Sequence, residues 1–367
     1  MKYLFVVQGE GRGHLTQALS MMSLLENNGH EVVSIMVGSS GKRSLPDFFV
    51  DKTQKKLVKF KSPNFMPLPK EKRPFLLTSI VYNLLLLPVF IESIFTIKKT
   101  INDSQPDIVV NFYELLCGIT YGVFNPSAPM VNVAHQYYFL TSNFKYTGRK
   151  KLQYALLNFY SRFTALNASR ILALSFRNET TEQYEEITIV PPLLRSEIYN
   201  KSTQKGDYIH GYLLNDGYVS DLEKWCDNNP TEKLHFFWDK KHVRNTEGLR
   251  DNLIMHKLDD TRFLKFMSGA KAYATTGGFE SVCEAIYLHK PVLMVPTHIE
   301  QECNVIDALQ SGAGVGSQNF DLEKLVDIVP FFKPNVEFRY WANAAQNIFL
   351  TELTNFELCE DNVFVAI

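Results

Sequence analysis

Two glycine-rich turns in this chain are suited to hold an anion, and each carries residues able to move or orient a proton. The first is Gly9-Glu10-Gly11-Arg12-Gly13-His14, which follows an apolar run from Lys2 to Val7 and opens directly into a helical stretch. Glycines let the backbone turn tightly and come close to a ligand, while the first N–H groups of the new helix point at it. His14 then stands at the carboxyl end of a first strand, where open α/β sheets bind ligands. The positive end of the helix disfavours the imidazolium, leaving a neutral ring able to act as a general base.

The second signal is longer. Ala270 to Ala274, Thr275-Thr276-Gly277-Gly278 and Phe279-Glu280-Ser281 read as strand, turn and helix start. Gly277 and Gly278 leave backbone N–H groups open to phosphate. Glu284, one turn on from Glu280, is placed to reach a ribose diol. After the next strand, Thr297-His298-Ile299-Glu300-Gln301-Glu302-Cys303-Asn304 offers acceptors and amides to sugar hydroxyls. The first turn is not a dinucleotide fingerprint, because it has G-x-G-x-G spacing and no acid ends the second strand. Gly38-Ser39-Ser40-Gly41-Lys42-Arg43 is not a Walker A loop, since its glycine spacing is short and Arg43 replaces Ser/Thr. The five cysteines form no C-x-x-C pair and none lies at a metal-ligand interval from a histidine, so they read as reduced thiols of a cytosolic protein.

These residues must be positioned by alternating strands and helices, the pattern of parallel sheets covered by helices. In the first half, strands are expected at 2–7, 31–37, 56–60, 107–111, 130–134 and 170–174, with helices from about His14 to Asn28 and Lys150 to Leu166. The first strand is read as buried sheet and not as a signal peptide, because no long apolar region follows it. After Pro191-Pro192 the pattern restarts, with strands expected at 207–213, 234–238, 253–256, 270–274, 291–295 and 314–316. The expected boundary lies at residue 195, giving an N-terminal domain 1–195 and a C-terminal domain 196–367. The last helical stretch, Val336 to about Leu353, could dock back on the first domain.

With 367 residues and a net charge of −1, the chain is long enough for two cores and has no global attraction for nucleic acid. Its halves differ: residues 1–200 hold 22 Lys/Arg against 15 Asp/Glu, and residues 201–367 hold 16 against 24. Pro74 to Ile91 carries no charge, yet it is short and diluted for a membrane span and would split the first sheet across the bilayer. Ten Lys/Arg and three acids lie just before it, from Lys42 to Arg73. The segment is therefore either a helix packed on the sheet beside a solvated basic loop, or a contact with the inner face of an anionic membrane.

The Gly9–His14 turn followed by Gly29-His30-Glu31-Val32, and Gly277-Gly278 through Glu284-Ala285, Pro291, Pro296, Glu300-Gln301 and Asn304, resemble the signatures of GT-B glycosyltransferases. That group includes the UDP-N-acetylglucosamine transferase of peptidoglycan synthesis and the UDP-glycosyltransferases. The resemblance implies two facing Rossmann-like domains and an inverting transfer from a nucleotide sugar, expected to be a UDP-sugar, to an acceptor hydroxyl, lipid-linked if the membrane reading holds. It implies His14 as the base and donor contacts from Gly11, Gly13, Thr276, Gly277, Gly278, Glu280 and Ser281. Glu284 would hold the ribose, Glu300 and Gln301 the sugar, and Leu258 the nucleobase, with no metal and no cofactor beyond the co-substrate.

The chain departs from that pattern at three places. Thr276 stands where many relatives have a phosphate-touching histidine. Asn111-Phe112-Tyr113-Glu114 stands where relatives place an aspartate that orients the catalytic histidine, so Glu114 is expected to take that part. Failing Glu114, His14 would work alone. The loop after the first strand of the second domain is reduced to His210-Gly211-Tyr212-Leu213. A catalytically silent nucleotide-sugar binder, or a UDP-sugar 2-epimerase on the same fold, are the alternatives.

Overall fold

The computed structural model describes residues 1–40, 45–53, 57–63, 83, 85–181, 186–214, 216–238 and 246–355. Two sheets account for its strands. In the first, β1 (Lys2–Gln8), β2 (Glu31–Ser39), β3 (Leu57–Lys61), β4 (Ile108–Phe112), β5 (Met130–Ala134), β6 (Arg170–Leu174) and β7 (Ile187–Val190) lie in the order β3-β2-β1-β4-β5-β6-β7. Every neighbouring pair is parallel. In the second, β8 (Tyr208–Leu213), β9 (Lys233–Trp238), β10 (Thr246–Arg250), β11 (Leu253–Lys257), β12 (Ala272–Thr275), β13 (Val292–Met294) and β14 (Gly314–Gly316) lie in the order β10-β11-β9-β8-β12-β13-β14. Only β10 runs antiparallel.

Parallel sheets are covered on both faces, so their central strands are apolar throughout and do not alternate. Tyr3 to Val7 of β1 are all buried, as are all five residues of β4 and β5. Such runs made the central strands legible. The two unforeseen strands are edge strands: β10 carries Thr-Glu-Gly-Leu-Arg with an exposed residue at every second position, and β7 follows a polar segment. β10 offers no apolar run to read, and β7, Ile-Thr-Ile-Val, is only four residues long.

The helices that bear on the site are α1 (Arg12–Asn27), α2 (Leu87–Ser104), α3 (Leu115–Phe124), α4 (Lys151–Thr164), α5 (Asp260–Gly269), α6 (Phe279–Tyr287), α7 (Ile299–Gln310), α8 (Val336–Asn343) and α9 (Ala345–Thr354). The stretch expected as one C-terminal helix is two, divided at Ala344. It crosses back to the first sheet, where the Tyr3 hydroxyl donates to the Leu353 carbonyl at 2.9 Å and Arg170 pairs with Glu352 at 2.9 Å. Most of Pro74 to Ile91 lies outside the described residues, as do Cys359 and the Gly41 to Arg43 part of the rejected loop. Among the described residues no helix is long and apolar enough to cross a membrane.

Both sheets reverse direction at their first strand, between β1 and β4 and between β8 and β12. Ligands of doubly wound sheets bind outside the carboxyl ends of strands at such reversals. β1 delivers the first glycine turn to one reversal, and β12 delivers the second to the other.

Candidate active site

The two turns meet. α1 begins after Gly11 and α6 after Gly278, and neither N-terminus has a side-chain cap, because glycine has nothing to offer. Each helix start therefore lacks a side-chain cap and carries a partial positive charge. A Cβ on Gly13 would lie 3.2 Å from Cγ of Glu280, so the two ends almost touch. Gly9 and Gly277 make the geometry possible. A side chain at Gly9 would strike Val37 at 2.6 Å and the Gly38 carbonyl at 2.8 Å, while Gly277 has φ +84° and Asn304 Nδ2 donates to its carbonyl at 3.1 Å.

His14 sits between these ends. Its ring stacks on Tyr113, with centroids 5.6 Å apart, and Tyr113 is held there by a strained backbone, φ 59°, at the end of β4. Burial lowers the imidazole pKa to about 4, partly offset by the nearby Gln17 amide, so the ring is neutral at physiological pH. Gln136 Nε2 lies 3.5 Å from His14 Nε2, and Nδ1 has no hydrogen-bond partner among the described residues. Gln17 also donates to Oε1 of Glu280, and Gln136 lies close enough to Glu300 to favour its ionised form. The result is a run of side chains from both domains, Glu280, Gln17, His14, Gln136 and Glu300. Burial pushes the Glu280 carboxyl up to about 8 and that of Glu300 to about 7.

Other expected residues are placed differently. Glu114 does not reach His14: its carboxylate caps α3, accepting from Leu116 N at 2.6 Å and Cys117 N at 3.3 Å, and takes the Ser62 hydroxyl. A buried carboxylate at a helix start is satisfied by the nearest backbone donors, and Tyr113 fills the place beside the histidine. Glu284, expected at a ribose, is 2% exposed and spends both oxygens on Arg195, at 2.6 and 2.7 Å. Gln301 turns its Oε1 back to the Thr297 amide and hydroxyl, at 2.9 and 2.7 Å, fixing the loop before α7. Thr276 is buried at the end of β12, Ser281 turns its hydroxyl toward the Gly278 carbonyl at 3.4 Å, and Leu258 is half-buried after β11.

Gln17, Tyr113, Gln136 and Arg195 were not foreseen. Gln17 was findable, because it follows His14 by three positions and so shares its helix face. Tyr113 and Gln136 come from the segments just after β4 and β5 and carry no local signal. Arg195 is the centre of an interdomain network: it lies 3.7 Å from Asp260 of α5, which lies 3.8 Å from Arg12 of α1. A second tie joins Arg177 to Asp307 at 2.8 Å, and His135 stacks on Phe279, the first residue of α6, at 3.9 Å.

No curated protein matches the sequence. Among solved structures, the glycotransferase of kitacinnamycin superposes with a TM-score of 0.64 at 16% identity, covering 96% of this chain and 98% of that one. Arabidopsis thaliana UGT89C1 complexed with quercetin gives 0.62 at 11% identity, covering 96% and 98%. Spinosyn rhamnosyltransferase SpnG complexed with thymidine diphosphate gives 0.61 at 12% identity, covering 96% and 100%. At these identities the likeness establishes the fold, the GT-B arrangement of two α/β domains. A model of glycosyl transferase family 1 matches residues 1–332, and on that match the chain belongs to this family of sugar-transferring enzymes.

Proposed function

We propose that the chain is an inverting transferase that moves a sugar from a nucleoside diphosphate sugar to an acceptor hydroxyl, with His14 as the base. The observation that carries this reading is the approach of two uncapped helix N-termini, α1 and α6, on either side of a neutral histidine. Two positive helix ends attract a diphosphate and stabilise it as it leaves. Two relatives of the same fold support the choice of donor, since SpnG was solved with thymidine diphosphate and UGT89C1 with UDP-L-rhamnose.

The acceptor oxygen attacks the anomeric carbon on the face opposite the diphosphate. A new C–O bond forms as the bond to the β-phosphate oxygen breaks, His14 takes the acceptor proton, and the electron pair leaves on the diphosphate. The free N–H groups of Phe279, Glu280 and Ser281 meet the developing charge. Gln136, which contacts His14 Nε2, gives way to the acceptor hydroxyl. The acceptor we propose is a lipid-linked hydroxyl presented at a bilayer.

His14→Ala tests the assignment. Transfer should fall by about 10²–10⁴-fold, the usual contribution of a general base. The thermal shift produced by UDP or dTDP should remain, because a ligand of the folded state raises apparent stability without any need for the base. Undiminished turnover would remove His14 from the mechanism. A shift with no transfer in the wild type, over a panel of sugars, would instead make the chain a nucleotide-sugar binder.

A further inference from the structure

α4 is inside out. Its two buried side chains are Ser161 and Thr164, while Leu152, Leu156, Phe159 and Phe163 are exposed, Leu152 at 74% and Phe159 at 60%. A surface helix of a protein surrounded by water turns its apolar stripe to the core. The outer stripe follows the 152, 156, 159, 163 spacing of one helix face, and among the described residues its four side chains stay exposed.

The neighbouring helices extend it. α3 packs against α4 so closely that a Cβ on Gly118 would lie 2.2 Å from the Phe163 carbonyl. It exposes Val123, and its Phe124 ring lies 5.5 Å from Phe95 of α2. α2 in turn exposes Ile91 and Phe95, one turn apart. Three adjacent helices thus share one apolar outer face, larger than the scattered exposed side chains of an ordinary surface.

Charge decides what covers it. From Leu115 to Asn178 the chain holds no Asp or Glu, and seven Lys/Arg. Lys150, Arg170 and Arg177 are spent on Glu302, Glu352 and Asp307. Lys145, Arg149, Lys151 and Arg162 remain on the exposed side of α4 and the loop before it. A second copy of the chain would set these cations against their own kind across a two-fold axis. An anionic bilayer accepts both features, apolar side chains into its acyl boundary and cations at its headgroups.

We infer that the outer face of α2, α3 and α4 docks on the surface of an anionic lipid bilayer. α4 also borders the cleft, since Lys150 and Tyr146 at its start bind Glu302, two residues beyond Glu300. A docked enzyme would therefore face its acceptor-side opening toward the membrane. That consequence rests on the transferase reading; the docking itself does not.

Cosedimentation with phosphatidylcholine vesicles, with and without phosphatidylglycerol, tests it. The wild type should pellet with the anionic vesicles and be released by salt. Lys151→Gln with Arg162→Gln should weaken binding by about 25-fold, at about fivefold per cation. Leu156→Ser with Phe159→Ser should weaken it by about tenfold or more, while both variants keep the wild-type nucleoside diphosphate thermal shift, which shows that they fold. Wild-type protein that stays in solution with anionic vesicles at low salt overturns the inference. So does equal binding to both vesicle types that the Gln substitutions leave unchanged, or a dimer in sedimentation velocity that the Ser substitutions dissolve. None of these outcomes depends on whether the protein transfers sugar.

Discussion

At the scale of single residues, the site is set by what burial does to ionisable groups. The same desolvation that keeps His14 neutral keeps Glu280 protonated at neutral pH, since both charged forms are disfavoured away from water. A protonated Glu280 at the start of α6 does not repel a diphosphate; an ionised one does. The sign of the pH dependence follows. The Glu280 pKa of about 8 means that the proton is lost as pH rises through that value, so donor affinity should fall there. Calorimetric titration of UDP or dTDP across this range should show the fall, and Glu280→Gln, which cannot ionise, should abolish it. A limb that persists in the variant would assign the titration to another group.

At the scale of elements, each helix start depends on the strand that feeds it. β12 ends in Thr275, and the chain must reverse through Gly277 at φ +84° before α6 can aim its N–H groups at the cleft. An L side chain there is strained whatever the space, and its Cβ would also press on Val305 at 3.0 Å. Gly277→Val should cost about 1–3 kcal/mol of stability from the backbone alone. It should also abolish the nucleoside diphosphate thermal shift, because the turn that opens the helix N-terminus would move. Thermal denaturation with and without nucleotide measures both effects. A variant as stable as the wild type would show that the turn relaxes without strain. α4 illustrates the opposite dependence: its outer stripe is set by its own sequence, but its exposure among the described residues is set by how α3 and the sheet pack on the other side of the helix.

At the scale of the whole molecule, Arg195 is the residue on which the two halves most depend. It lies after the Pro191-Pro192 stretch and binds Glu284 through Nε and Nη2 of its guanidinium, in a place where Glu284 is almost fully buried. Removing one partner of such a pair strands a charge, so Arg195→Met should destabilise by about 3–5 kcal/mol in chemical denaturation. Adding Glu284→Leu should recover much of that loss; strict additivity would mean that the pair is not coupled. The sequence by itself determined the central strands, whose unbroken apolar runs suit a sheet buried on both faces. It also determined both glycine turns, since turn chemistry and helix start are adjacent in the chain. It carried the acid-free stretch behind the proposed docking face, but not the fact that its apolar residues point outward. Only the tertiary structure decided what stands beside His14, because Tyr113, Gln136 and Glu280 arrive from separate elements. It likewise turned Glu284 to Arg195 and Glu114 to the end of α3: a buried carboxylate goes to the strongest donors within reach, and which donors those are is a property of packing and not of spacing along the chain.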